Sequence, residues 1–256
     1  MTVPFVESPA LATVPAIRHG FFGRRGGDSV GDFASLNMSV SVGDAPATVA
    51  RNRESATTTI GFSAADLVIV KQVHSSRVIT LTGHPGLMSV TEADGLVTRV
   101  PGLLLGILTA DCAPVLLADP QLRIIGAFHA GWKGALDGIA QNTVDAMVAL
   151  GADPSRIVAA IGPTISLANY EVGPDFTANL LHLHRDAGNR IARPAGGREH
   201  FDLPGFVFDQ LVGAGVGLIN DLGLCTYGAP KQYFSHRYAT HRDARTGRQI
   251  AVIGLS

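Results

Sequence analysis

Cysteine is scarce: two residues, Cys112 and Cys225, stand far apart in a chain of 256. They lay out no small disulfide scaffold, so a reducing cytoplasm is the expected setting. Charge is scarce too. Sixteen per cent of residues are charged and the formal net charge is −1, which gives no basis for nucleic-acid or membrane-surface binding. No apolar run approaches the ~20 residues needed to span a bilayer. The first residues, MTVPFVESPALATVPAIRHG, lack a basic start followed by a continuous apolar stretch, so no signal peptide is expected. Walker spacing and the dinucleotide GxGxxG arrangement are also missing, which argues against a nucleoside-triphosphate or NAD site. With no internal repeat, low-complexity tract or linker, one domain over residues 1–256 is expected.

What the chain does have is core material and tight turns: 46% hydrophobic residues and 30 glycines. The densest stretch is Leu103–Gly134, in which LLLGIL, PVLLAD and RIIGAFHA are separated by short connections. Apolar runs of this length, bounded by Gly, Pro and Asp, suit buried strands. Further strands are expected at Phe21–Phe22, Leu67–Val73, Arg77–Leu81, Ala93–Thr98, Ile157–Ile161 and the apolar C-terminus. Asp44 before Pro46 reads as the cap of a helix running to about Ile60, closed by Gly61. Leu136, Ile139, Thr143, Met147 and Leu150 recur at helical spacing from Ala135, with Gly151 as terminator. Helices are also expected from Pro174 to about Ala187 and from a cap at Asp202 to about Val212. Several consecutive strands without helices between them indicate an α+β chain with mixed sheets and outer helices.

Reactive side chains interrupt the apolar runs. Cys112 breaks TADCAP, His129 ends the third run at HAGWKG, and His74 ends LVIVKQVH. A catalytic zinc takes three protein ligands and keeps one place for water, and Cys/His shells of this kind occur. These three residues could form such a shell, although their spacing matches no short zinc motif. From the residues alone a buried inert thiol and two hydrogen-bonded histidines are the more common reading of such positions. Cys112 as a nucleophile with a histidine base is a further reading. For anions, Arg24 in the RRGG loop, Lys133 beside His129, and the basic tail with Arg237 and Arg248 are candidates. His182 and His184 fall on a helix and read as surface residues.

Taken together, FGRRGG, FASLNMS with VGD, KQVH, EADGLVT, TADCAPVLLAD, GAFHAGWKG, IGPTISLANYEVG and FSHR with TGR resemble the YfiH/laccase-domain family. Its members are also described as multicopper polyphenol oxidases or as purine nucleoside phosphorylases. The resemblance implies a four-layer α/β/β/α sandwich, with His74, Cys112 and His129 as both catalytic residues and ligands of a zinc ion, copper being the alternative. It implies phosphorolysis of adenosine, inosine and methylthioadenosine to base and ribose 1-phosphate, with adenosine deamination at the same site. The partners implied are a nucleoside and phosphate, with Arg24, Lys133, Arg237 and Arg248 as the contacts to test. A copper-dependent laccase is the competing activity. Lys133 stands where arginine is usual after HAGW, Thr164 replaces a common cysteine, and His236 and Tyr238 alter the tail pattern around Arg237.

Overall fold

Two β-strands of the central block are buried along all seven of their residues: β7 (Ala113–Asp119) and β8 (Ile124–Ala130). A strand buried on both faces must have a packed layer above and another below, which explains why these runs are apolar throughout instead of alternating. The structure, a computed structural model, describes residues 2–84 and 91–256. β7 and β8 form a hairpin inside a six-stranded sheet of order β13 (Leu218–Asp221), β9 (Val158–Ile161), β7, β8, β5 (Gly95–Thr98), β4 (Val78–Leu81). The β13/β9 and β5/β4 pairs are parallel, and the central pairs are antiparallel. A five-stranded sheet covers one face, in the order β1 (Phe5–Val6), β2 (Ile17–Phe22), β14 (Gln249–Leu255), β6 (Leu104–Thr109), β3 (Leu67–Ile69).

Alternating side chains then build the layers. Leu116, Ala118, Ile125 and Ala127 meet Leu105, Ile107, Ala251 and Ile253 between the two sheets. Their sequence neighbours Val115, Leu117, Ile124 and Phe128 point the other way, onto α4 (Ile139–Ala149) and α6 (Leu203–Gly213). On the far side, Leu104, Ile250 and Val252 pack with Ala56 and Ile60 at the end of α2 (Pro46–Thr59). The expected four-layer α/β/β/α arrangement is what the chain adopts. A small third sheet, β10 (Glu171–Val172), β12 (Glu199–Phe201), β11 (Ile191–Ala192), lies near α5 (Pro174–Leu183). The remaining helices are the short α1 (Pro9–Ala12), α3 (Trp132–Leu136) and α7 (His236–Thr240). Among the described residues no helix is long and apolar enough to cross a membrane.

Four local expectations change. The helix expected from Ala135 is two helices, because Gly138 takes φ +87° between α3 and α4, a conformation glycine adopts at little cost. α2 is capped at Ala45 without a side-chain bond. Asp44 instead accepts from Ser29 Oγ at 2.6 Å and Asn37 Nδ2 at 2.9 Å, tying the preceding loop together. α5 stops at Leu183, since His184 leaves helical angles and its Nε2 lies 2.9 Å from the Leu136 carbonyl. The strand expected at Leu67–Val73 ends at Ile69. Lys71 leaves β6 and pairs instead with Thr91 (N–H to carbonyl, 3.0 Å) and Ala93 (3.1 Å), and the backbone N–H groups of Val73, His74 and Ser75 go to one buried carboxylate.

The β7–β8 hairpin rests on Asp119, which is fully buried. Its carboxylate accepts from the backbone N–H of Gln121 (2.9 Å), Leu122 (3.2 Å) and Asp153 (3.1 Å) and from the Arg156 guanidinium (2.9 Å). Burial alone would raise its pKa, but these donors hold it below the usual carboxylate range. Asp119→Ala leaves three N–H donors and a guanidinium without their acceptor. We expect a loss of about 3 kcal/mol, read as a lower midpoint in urea unfolding.

Candidate metal centre and its cavity

Asp94 sits immediately before β5, with its carboxylate completely shielded from solvent. Oδ2 accepts from the backbone N–H of Val73 (3.2 Å) and Ser75 (2.7 Å) and from Ser75 Oγ (2.7 Å). Oδ1 accepts from the His74 N–H (3.0 Å) and lies 2.8 Å from His129 Nδ1. One side chain therefore shapes the turn carrying His74 and orients the ring of His129. The turn is tight: His74 has φ +60°, a left-handed conformation that a non-glycine residue keeps only when surrounding bonds fix it. Because Nδ1 of His129 faces Asp94, Nε2 is the free ligand atom, an arrangement common behind metal-bound histidines.

Cys112 sits at the β6–β7 break, where the chain passes from the five-stranded to the six-stranded sheet. Asp111 before it has φ +94°. Its carboxylate accepts from Thr226 Oγ1 (2.6 Å) and the Arg237 N–H (2.6 Å), and its carbonyl from Thr164 Oγ1 (2.7 Å) and the Ile165 N–H (2.9 Å). Four bonds thus hold the turn that presents the thiol. Gly131 completes the enclosure: a Cβ there would lie 2.4 Å from His74 Cδ2 and 3.2 Å from Cys112 Sγ.

The three side chains converge. One ligand atom from each of His74, Cys112 and His129 lies within 4.8 Å of the others, and Sγ is 3.8 Å from His74 Nε2. Zinc bond lengths of ~2.3 Å to sulfur and ~2.0–2.1 Å to nitrogen put tetrahedral ligands ~3.3–3.6 Å apart, so the donor set fits such an ion with small adjustments. His129 is buried, Cys112 half-buried and His74 exposed, which leaves the open side toward solvent.

Electrostatics agree. Burial would raise the Asp94 carboxyl, but hydrogen bonds from His129 and Ser75 outweigh it and bring it from 3.8 to about 2. Burial would also raise the Cys112 thiol, yet His129 and His74 pull it down to about 6. His129 goes the other way: desolvation opposes its charge, but Cys112 and Asp94 raise it to about 9. Without metal these contacts thus favour the thiolate of Cys112 and the charged imidazole of His129, backed by the Asp94 carboxylate. Because the folded Asp94 value is depressed, its contribution is complete above about pH 4 and is lost as pH falls through about 2. The gap is worth roughly 2 kcal/mol. Metal-free protein is expected to lose thermal stability between pH 4 and pH 2, and Asp94→Asn to flatten that slope.

A cavity of about 270 Å³ opens beside the centre, lined among others by His74, Asp111, Cys112, Tyr170, His236 and Arg237. Of the four anion-binding candidates, Arg237 lines it, and its guanidinium donates to the Glu171 carbonyl at 3.0 Å. Arg248 is half-buried and within electrostatic reach of Cys112 and Asp111, though it donates to the Thr246 and Gly247 carbonyls. Arg24 lies outside the lining. Its guanidinium binds the Ala34 and Pro230 carbonyls and covers the Phe234 ring at 4.6 Å. Lys133 is exposed on the first turn of α3, also outside the lining. Asp94, Asp111 and Tyr170 were not singled out as site residues from the sequence. A usable signal for Asp94 was an acidic residue opening the otherwise apolar run ADGLVT.

A family model described as multi-copper polyphenol oxidoreductase laccase matches residues 18–256. The chain belongs to this family. A purine nucleoside phosphorylase of Deinococcus radiodurans is 44% identical over 255 residues, covering 99% of this chain and 93% of that one. Another of that name, from Corynebacterium glutamicum, is 39% identical over 240 residues, covering 93% and 94%. Among solved structures, the hypothetical protein YfiH of Bacillus licheniformis superposes with a TM-score of 0.89 at 31% identity, covering 99% of both chains. YlmD of Geobacillus stearothermophilus gives 0.84 at 31% identity, covering 94% and 93%. The family description speaks of several coppers. Among the described residues of this laccase-family chain, one His/Cys/acid group has the geometry for an ion.

Proposed function

We propose that the chain is a purine nucleoside phosphorylase whose centre holds a zinc ion on His74, Cys112 and His129. The observation that carries this reading is the convergence of those three donors at the edge of a cavity that also contains Arg237. The naming of its relatives as purine nucleoside phosphorylases supports it. In the reaction, the N-glycosidic bond breaks with its electron pair going to the base, and a phosphate oxygen forms the new bond to the anomeric carbon. The departing base takes a proton. When bound, zinc supplies Lewis acidity and an acidic water near neutral pH.

The chain's own residues do the rest. Arg237 draws phosphate into the cavity with a fixed positive charge. Asp111 fixes the main chain of Arg237 and the turn of Cys112 together, so the cation and the thiolate keep one relative position. The departing base takes its proton from water, and His236, exposed in the cavity lining, offers sugar and phosphate a further polar contact. Asp94 keeps both histidines aligned before substrate arrives, so little reorganisation is needed during reaction.

The same geometry favours a second reading. Cys112 Sγ lies 3.8 Å from His74 Nε2, and a thiol drawn down by neighbouring imidazoles is also how a cysteine nucleophile is activated. Elemental analysis followed by a nucleoside panel with and without phosphate separates the two. The phosphorylase reading predicts about one zinc per chain and phosphate-dependent release of base. Cys112→Ala should cut that rate by at least about 100-fold, since both a ligand and its charge are lost. Full activity after metal removal, abolished once an electrophile traps Cys112, would favour the nucleophile instead. Inosine formed from adenosine without phosphate would reveal deamination, and phenol-dependent oxygen uptake after copper loading would reveal laccase chemistry.

A further inference from the structure

Trp132 is the single tryptophan of the chain, yet it is 41% exposed in a protein with ample core to bury it. It opens α3 directly after Gly131, the residue that abuts His74 and Cys112. Two cavities meet at its ring. The inner one, beside the metal centre, carries the polar groups His74, Asp111, Cys112 and His236. The outer one, about 430 Å³, is lined by Trp132, Tyr170, Val172, Phe176 and Arg237, among others. Trp132, Tyr170 and Arg237 belong to both walls, so the two spaces adjoin: an inner end with the metal ligands and His236, and an outer, aromatic end that also carries Glu171, Asp175 and Asn179.

The aromatic end has one ring available. The Arg237 guanidinium sits over the Tyr170 ring at 5.4 Å, and Tyr170 also touches Phe201 at 6.0 Å. Phe176 is held between Phe201 (4.9 Å) and Trp132 (5.6 Å). Its T-shaped contact at 80° braces the indole from one direction, and the partly exposed Trp132 lines both cavities. A braced, solvent-facing indole is what a flat heteroaromatic ring stacks on, with little ordering cost on the protein side.

We propose that Trp132 is the platform for the purine ring, so that the base lies in the outer cavity while sugar and phosphate reach the charged inner one. This rests on the phosphorylase reading. Stacking uses the π-face, which every purine has, and reads no particular edge. The platform therefore sets affinity for the base class more than choice among purines.

Because no other tryptophan contributes, intrinsic emission reports on this ring alone. Titrating the metal-loaded protein with hypoxanthine or adenine, excited on the red side of purine absorption, should quench the emission saturably. Ribose 1-phosphate at equal concentration should not. In steady-state assays with inosine, Trp132→Ala should lower kcat/KM by about tenfold or more, chiefly through KM, and Trp132→Phe should recover most of it. Phosphorolysis that proceeds with KM unchanged in Trp132→Ala and no quenching by base overturns the platform and leaves the reaction reading intact. Saturable quenching by base in protein that shows no phosphorolysis keeps the platform and sinks the reaction reading. Should Trp132→Ala fail to fold, the titration of the unaltered protein and the Phe variant's KM still decide.

Discussion

Asp94→Ala is expected to weaken zinc binding by about 100-fold or more and to lower phosphorolysis at least as far. Carboxylates behind metal-bound histidines usually account for 10- to 100-fold in affinity, and Asp94 carries more than that role. Its two oxygens fix the ring of His129 and, through three backbone N–H groups, the left-handed turn of His74. Removing it releases two of the three ligands at once and strands buried donors. Competition with a chromophoric chelator measures the affinity directly. Asp94→Asn keeps the shape and part of the accepting capacity, so it should fall between the parent and the alanine variant. Unchanged zinc affinity in Asp94→Ala would show that the histidines are positioned by something else.

Gly131→Ala is expected to lose metal and activity by at least about tenfold while keeping its fold. The backbone at Gly131 has φ −75° and ψ 164°, extended values that alanine adopts without strain. The added methyl, however, would sit 2.4 Å from the His74 ring and 3.2 Å from Sγ, so His74 must leave its place. The effect therefore falls on ligand geometry and spares the core. Circular dichroism and the unfolding midpoint of metal-free protein should match the parent, while bound zinc falls at least about tenfold for want of one ligand. A variant that unfolds would mean that the glycine serves the fold, and one that keeps its zinc would mean that the ring has room to turn aside.

How far the residues alone reached can be judged element by element. β7 and β8 were legible because a strand buried on both faces leaves an uninterrupted apolar run, and their ends located Cys112 and His129. The four-layer arrangement came with the resemblance, and alternation along β6 and β7 supplies its physical reason. The split between α3 and α4 was hidden, since a glycine at φ +87° leaves the helical spacing of Leu136, Ile139 and Thr143 intact. The shortened β3 was hidden for a different reason. Past Ile69 the Lys71 backbone pairs with Thr91 and Ala93 and the Val73 N–H goes to Asp94, all about twenty residues on, pairings that no local pattern shows. Long-range polar contacts of this kind also explain the anion candidates. Arg24 and Arg237 look alike in sequence, but one is tied to the Ala34 and Pro230 carbonyls and the other lines the cavity.

X-ray absorption at the zinc edge of the purified protein, reconstituted with one equivalent of zinc, tests the convergence on His74, Cys112 and His129 most directly. One sulfur at ~2.3 Å with two imidazole nitrogens at ~2.0–2.1 Å and a light-atom fourth ligand is the shell that this account requires. A shell without sulfur, or one unchanged in Cys112→Ala, would contradict it.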